Sequence, residues 1–338
     1  MSQPITQSAP ELRDAFGRQV TYLRMSVTDR CDFRCRYCMD ENPAFLPRKS
    51  VLSLEELALI GKAFIGLGVT KIRLTGGEPL VRRDMLWLVQ QLGAEEGLHD
   101  FAMTTNGSQL AKQANALAAA GLHRLNVSVD TLDADTFKDL TRIGDLAQVL
   151  DGIEHARRAG FRRIKLNSVV MRGFNDQQIL PLIDYVLERG MDISFIEEMP
   201  LGVVTDHSRK DAFISSQEIR DSIATRYPLA SSTFTSGGPS RYWKIDGYEN
   251  SRIGFISPHS ENFCSTCNRV RLTAEGKLLL CLGHENALDL REVTRAHPES
   301  IAAIQDAVLE GIQNKPERHE FSHDPDVKVL RYMHHTGG

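Results

Sequence analysis

From about residue 20 to residue 200 the chain alternates short β-branched or apolar runs with longer stretches of helical periodicity. The runs Tyr22–Thr28, Lys71–Thr75, Phe101–Thr105, Arg124–Ser128, Ile164–Val170 and Asp192–Glu197 predict strands. The first intervening helix is the best marked. Ser53 and Glu56 form a capping-box pattern, and Leu54, Leu57, Ala58 and Ile60 begin an apolar stripe. Asp84–Leu92, Leu110–Ala120, Leu146–Ala159 and Gln177–Glu188 predict further helices, with Gly121, Gly160 and Gly190 where C-caps belong. This succession of β/α units predicts an α/β fold with a parallel sheet and helices outside it. Eight units would close a full barrel, so six predict an incomplete (βα)6 barrel of the TIM type.

Residues two apart on a strand share a face. One face carries Arg24, Ser26 and Thr28; Lys71, Arg73 and Thr75; Asn126 and Ser128; and Lys165 and Asn167. The other carries Leu23, Met25, Val27, Ile72, Leu74, Leu125, Val127 and Leu166. The apolar face suits packing against helices. A closed barrel fills its interior with branched apolar side chains. A polar, basic inner face predicts an open lumen that holds a large anionic ligand.

After about residue 200 the pattern turns strand- and turn-rich, with Asp246-Gly247 and Glu275-Gly276 as turn signals. Helical periodicity returns at Ser300–Gln313. The predicted division is 1–200 for the partial barrel and 201–338 for a C-terminal domain, with the boundary in the loop Pro200–Asp211.

Composition narrows the function classes. Forty basic against 44 acidic residues, a net charge of −4, disfavour a non-specific nucleic-acid binder, so an anion must be held by a local basic cluster. No apolar run approaches membrane-spanning length and the N-terminus has no apolar leader pattern, which predicts a cytoplasmic protein with reduced thiols.

The six cysteines fall into two groups, Cys31, Cys35 and Cys38, and Cys264, Cys267 and Cys281. Three thiols in a group leave one over from any local disulfide pairing, and C-x2-C occurs in both groups, which favours metal binding. Three thiolates can hold three corners of a [4Fe–4S] cube and leave the fourth iron open to a substrate or cofactor. A zinc site completed by histidine is the alternative for the first group, but no histidine lies near Cys31–Cys38. Six scattered free thiols are the bland alternative, which the C-x2-C in both groups disfavours.

The spacing C-x3-C-x2-C with Tyr37 before the last cysteine, followed by "LTGGEPL" after the second strand, resembles the radical S-adenosylmethionine enzymes. "FCSTCNRVRLTAEGKLLLCL", with C-x2-C-x13-C, is similar to the C-terminal cluster motif of the GTP 3′,8-cyclases, the molybdenum cofactor biosynthesis protein A family. "RMSVTDRC", "KIRLTGGEPLVRRD", "TTNG", "LNVSVDTLD", "FIEEMP" and the terminal "HHTGG" resemble further motifs of that family. Asp40 stands where the family more often has proline, and Thr336 where isoleucine is commoner.

The resemblance implies two [4Fe–4S] clusters, one on Cys31, Cys35 and Cys38 and one in the C-terminal extension on Cys264, Cys267 and Cys281. It implies S-adenosylmethionine contacts at Tyr37, Gly77, Ser128 and Met199. It implies GTP contacts at Arg24, Arg73, Thr104, Lys165, Arg269, Val270 and Arg271, with catalytic roles for Arg24, Arg269, Arg271, Gly337 and Gly338. Lys71 joins this set from the strand pattern alone. The implied reaction breaks the sulfonium of S-adenosylmethionine, takes hydrogen from C3′ of GTP and closes C3′ onto C8 of guanine. The implied partners are a reductant protein and a downstream cyclic pyranopterin monophosphate synthase, and the resemblance allows a homodimer.

Two other functions fit less of the chain. A peptide-modifying radical enzyme commonly carries more C-terminal cysteines than three, and a non-catalytic metal module leaves the GGEP loop and basic face unexplained. Glu197 and Glu198 are adjacent on a strand and make a poor acid/base pair. His334 and His335 read as a solvated pair, Arg82 and Arg83 as a loop or helix start, and Met25, Met103 and Met171 as core fillers.

Overall fold

A computed structural model describes residues 11–203, 206–319, 321 and 329–337. Six strands follow the predicted runs: β1 (Tyr22–Ser26), β2 (Lys71–Thr75), β3 (Asp100–Thr105), β4 (Arg124–Ser128), β5 (Arg163–Val170) and β6 (Asp192–Glu197). The helices between them are α1 (Leu54–Gly66), α2 (Met85–Gly93), α3 (Leu110–Ala119), α4 (Ala134–Thr141), α5 (Leu146–Arg158) and α6 (Ile179–Arg189). The capping box of α1 is formed: Ser53 Oγ accepts from the Glu56 N–H at 3.1 Å, and Glu56 Oε2 accepts from the Ser53 N–H at 2.7 Å. The periodicity did not disclose α4. Asp133 marks its start, its side chain accepting from the Thr136 N–H.

The last third of the chain adds α7 (Arg209–Ala212), α8 (Ser216–Ala224), β7 (Leu229–Ser231), β8 (Arg241–Ile245), β9 (Ile253–Ile256), β10 (Arg269–Leu272), β11 (Lys277–Leu279) and β12 (Ala287–Asp289), then α9 (Leu290–Ala296), α10 (Ile301–Gly311) and α11 (Met333–Thr336). Helix α7 begins within the predicted boundary loop and ends one residue beyond it. Among the described residues the strands form one mixed sheet in the order β12-β11-β10-β1-β2-β3-β4-β5-β6-β9-β8-β7. Strand β10 lies parallel to β1, and β9 lies parallel to β6. The parallel run of six is therefore lengthened at both ends by strands from the C-terminal third, and only then capped by antiparallel pairs.

The face assignment holds through the barrel-like region. Leu23, Met25, Ile72, Leu74, Leu125, Val127 and Leu166 are fully buried in the main core. Their alternating neighbours Arg24, Arg73 and Lys165 line an internal cavity. No helix among the described residues is long and apolar enough to cross a membrane.

Candidate active site

All six cysteines line that one cavity, and none is in a disulfide. The first three lie in the loop after β1. The turn of "GGEP" packs on this loop: the Gly77 N–H donates to the Thr28 carbonyl at 2.8 Å, and the Glu78 N–H to the Arg30 carbonyl at 2.8 Å. A Cβ on Gly77 would sit 2.4 Å from the Arg30 carbonyl oxygen, so the close approach requires glycine. Glu78 is fully buried and accepts from the Leu80 and Asn106 N–H groups and the Thr105 hydroxyl. Burial pushes its carboxyl up to about 7 despite those bonds. Helix α4 holds the other side of the loop through N–H donations from Arg34 to Thr141 and from Arg36 to Leu140.

The second triplet is gathered by a hairpin. Cys264 and Cys267 precede β10, and Cys281 follows β11. The antiparallel pairing of Arg271 with Leu279 folds the thirteen-residue spacing back on itself, so Cys281 returns beside the first pair. Because β10 runs parallel to β1, Cys267 sits at the starting end of these strands and Cys31 beyond their finishing end. The two triplets thus occupy opposite ends of the cavity.

Cations fill the space between them. Tyr22 pairs in register with Arg269 on one side and Lys71 on the other, and Arg24 pairs with Arg271 and Arg73. Lys165 lies across the cavity, its Nζ 3.4 Å from the Tyr242 hydroxyl. Arg271 is buried and donates to the Gly337 carbonyl at 2.6 Å. Burial and the neighbouring Arg24 and Arg269 push its guanidinium well below its usual range. Such crowding of like charge, away from water, is costly until an anion arrives.

Tyr37, Gly77, Ser128, Met199, Thr104 and Val270 also line the cavity. Gly337 stands against Thr75 and Ser26, while Gly338 lies outside the described residues. Lys71 turns away from the cavity, its Nζ 2.5 Å from the Ser236 carbonyl and 3.1 Å from Asp100 Oδ2. The histidine pair is a correction. His334 is buried, its ring 4.1 Å from that of His335 and its Nδ1 3.4 Å from the Cys38 carbonyl, because the tail turns inward. Arg82 is structural, donating to the Leu52 carbonyl at 2.6 Å, and Met25, Met103 and Met171 are core.

Three groups escaped the sequence reading. Asp130 accepts from the Tyr37 hydroxyl at 2.7 Å and from the Val169 N–H at 2.8 Å. Asp32 accepts from Asn106 Nδ2 at 2.7 Å and from the Ser108 hydroxyl at 2.6 Å, tying the cysteine loop to "TTNG". Lys315, almost fully buried, donates to the Leu280 carbonyl at 2.5 Å and the Arg269 carbonyl at 3.1 Å, with Cys267 Sγ at 3.7 Å. The first two sit in motifs already singled out. Lys315 carries no local signal.

The donor set fits iron–sulfur clusters. Burial raises the Cys31 and Cys35 thiols, and proximity to the other thiols of the triplet raises them further. Such thiols ionise together only beside a compensating cation. Among the described residues no three His, Cys, Asp or Glu side chains come together closely enough for a single ion. At the second triplet burial raises Cys267, but Arg269 and Lys315 outweigh it and the thiol is lowered.

Known proteins resemble the chain in sequence and in shape. The Radical SAM superfamily model matches residues 25–186, and the Molybdenum Cofactor Synthesis C model matches residues 191–321. A GTP 3′,8-cyclase of Saccharophagus degradans is 58% identical, covering 97% of this chain and 98% of its own. One of Ectopseudomonas mendocina is 58% identical, covering 97% and 99%. A GTP 3′,8-cyclase 2 of Pseudomonas aeruginosa is 58% identical, covering 98% and 100%. The crystal structure of Streptococcus suis SuiB bound to precursor peptide SuiA has a TM-score of 0.61 at 15% identity, covering 87% of this chain and 67% of that one, a likeness of fold.

Proposed function

The chain belongs to the GTP 3′,8-cyclase family of the radical S-adenosylmethionine superfamily, and from that premise we propose that it cyclises GTP to (8S)-3′,8-cyclo-7,8-dihydroguanosine 5′-triphosphate, the first step of molybdenum cofactor biosynthesis. The observation that carries this reading is one cavity with a thiol triplet at either end and Arg24, Arg73, Lys165, Arg269 and Arg271 between them.

In this reading Cys31, Cys35 and Cys38 hold one [4Fe–4S] cluster, and Cys264, Cys267 and Cys281 hold a second. When bound, the first cluster and S-adenosylmethionine supply one-electron reduction and a group able to take hydrogen from the GTP ribose. The side chains supply the rest. Tyr37, fixed by Asp130, together with Gly77, Ser128 and Met199 seats S-adenosylmethionine. Arg24, Arg73, Lys165, Arg269 and Arg271 neutralise the triphosphate, and arginine suits this because its planar fork donates in pairs. Thr104 offers a buried hydroxyl without a partner among the described residues, and Val270 brings backbone polar groups to the substrate. Walls drawn from both ends of the chain exclude water and hold C3′ near C8.

We read residues 1–200 as an incomplete (βα)6 barrel and 201–338 as the domain that carries the second cluster and the Gly337–Gly338 tail. A cytoplasmic location, a reductant protein, a downstream cyclic pyranopterin monophosphate synthase and a homodimer belong to the same reading.

The test is anaerobic reconstitution, reduction, and measurement of 5′-deoxyadenosine with GTP, ATP or no nucleotide. GTP should stimulate turnover and yield a cyclised purine. Equal turnover with ATP, or no cyclised product, overturns the proposal.

A further inference from the structure

Lys315 stands just beyond α10 and is 2% exposed. Its Nζ donates to the Leu280 carbonyl at 2.5 Å, to the Arg269 carbonyl at 3.1 Å and to Cys267 Sγ at 3.7 Å. Those contacts use all three ammonium hydrogens. Among the described residues no carboxylate pairs with it. A cation taken out of water is costly unless it meets an opposite charge. The opposite charge within its reach is the thiolate that Cys267 presents when it ligates a metal. The chain on either side is fixed for this contact. Arg18, paired with Asp14, donates to the Pro316 and Glu317 carbonyls at 2.6 Å each and to the Cys264 carbonyl at 3.0 Å. The segment that follows Lys315 is thereby tied to the start of the second triplet.

Arg269 and Arg271 line the cavity, where a triphosphate can reach them, and Lys315 does not. Its charge is left to the thiolate. The first triplet differs. Among the described residues its sulfurs accept from the Phe33 N–H and from Asn106 Nδ2, both to Cys31, and from no cation.

We propose that Lys315 is a positioning residue of the second cluster, its ammonium compensating the Cys267 thiolate and raising the reduction potential of the cluster held there. The inference rests on the reading of Cys264, Cys267 and Cys281 as cluster ligands. Reduction adds one negative charge to a cluster, and a fixed cation bonded to a ligating sulfur favours the reduced form. Lys315 acts through Cys267 and not on the substrate.

The test is a redox titration of the fully reconstituted protein followed by EPR. A variant with Cys31→Ala, Cys35→Ala and Cys38→Ala assigns the signal of the second cluster. Lys315→Gln should shift the reduction equilibrium of the second cluster at least about tenfold toward the oxidised form, about 59 mV for one electron, with the first cluster unchanged. Lys315→Arg, which keeps the charge, should recover most of that shift. In the wild type, lysine labelled with heavy nitrogen should change the nitrogen coupling seen by pulsed EPR on the second cluster and not on the first. An unchanged midpoint in Lys315→Gln, an equal fall in Lys315→Gln and Lys315→Arg, or no lysine coupling in the wild type overturns the assignment and leaves the cluster reading intact. If Lys315→Gln fails to load the second cluster, the wild-type coupling decides. A wild type that takes up iron for only one cluster overturns both.

Discussion

At the scale of single residues, Asp130 shows how a position inside a quoted motif, but given no role by it, becomes central once its contacts are known. It is buried, joins Tyr37 to the β5 backbone, and has a carboxyl raised from 3.8 to about 6. Burial is the main cause, and the bonds from Tyr37 and Val169 offset it in part. The sign follows from which state loses its proton first. Between about pH 4 and pH 6 the unfolded chain ionises while the folded one still holds the proton, so stability from this group is greatest at the acid end and falls as pH rises. Asp130→Asn removes that slope. Relative to wild type, the variant should gain stability as pH rises from about 4 to about 6 and keep that gain above it, read as the shift in denaturant midpoint. A wild-type difference that does not change with pH would contradict the assigned shift. The residue scale was also where the sequence was most legible. The cysteine spacings and the alternation of Arg24, Ser26 and Thr28 are local patterns that need no knowledge of the fold.

At the scale of elements, the β10–β11 hairpin depends on a residue far away in sequence. Lys315, just beyond α10, reaches under the hairpin to the Leu280 and Arg269 carbonyls, while Arg18 donates to the Cys264 carbonyl at 3.0 Å from outside. Lys315→Met would fill the space and leave two buried carbonyls unsatisfied, at about 1–3 kcal/mol each. The expected outcome is a lower thermal midpoint, with iron lost first from the second triplet, read by iron count after mild chelation. Equal loss from both triplets would place Lys315 in general folding instead. The element scale was only partly legible. The long amphipathic helices were found, whereas α4, α7, α8, α9 and α11 were not. Helix α7 has four residues and α4 eight, too short for a periodicity to emerge.

At the scale of the whole molecule, the chain end returns to its first strands. Gly337 has φ +77°, and a Cβ there would lie 1.9 Å from Thr75 Oγ1. Gly337→Ala therefore cannot seat without displacing the tail, and Arg271 then loses the Gly337 carbonyl it donates to. Cyclase turnover should fall at least about tenfold, on the order of the loss of one buried charged hydrogen bond, with the thermal midpoint nearly unchanged. Normal turnover in this variant would show that the seated tail is not needed for the reaction.

The sequence by itself determined the six β/α strands, which face of four of them is polar, and which cysteines belong together. Each of these is written in residues a few positions apart. The tertiary structure alone decided that β10 lies beside β1, that the two triplets stand at opposite ends of one cavity, that Tyr22 falls into a row of cations, and that His334 is buried. Those outcomes depend on contacts between segments more than 240 positions apart, above all the pairing of β10 with β1. Such pairings answer to the burial of the two open edges of the sheet, a condition that no local pattern records.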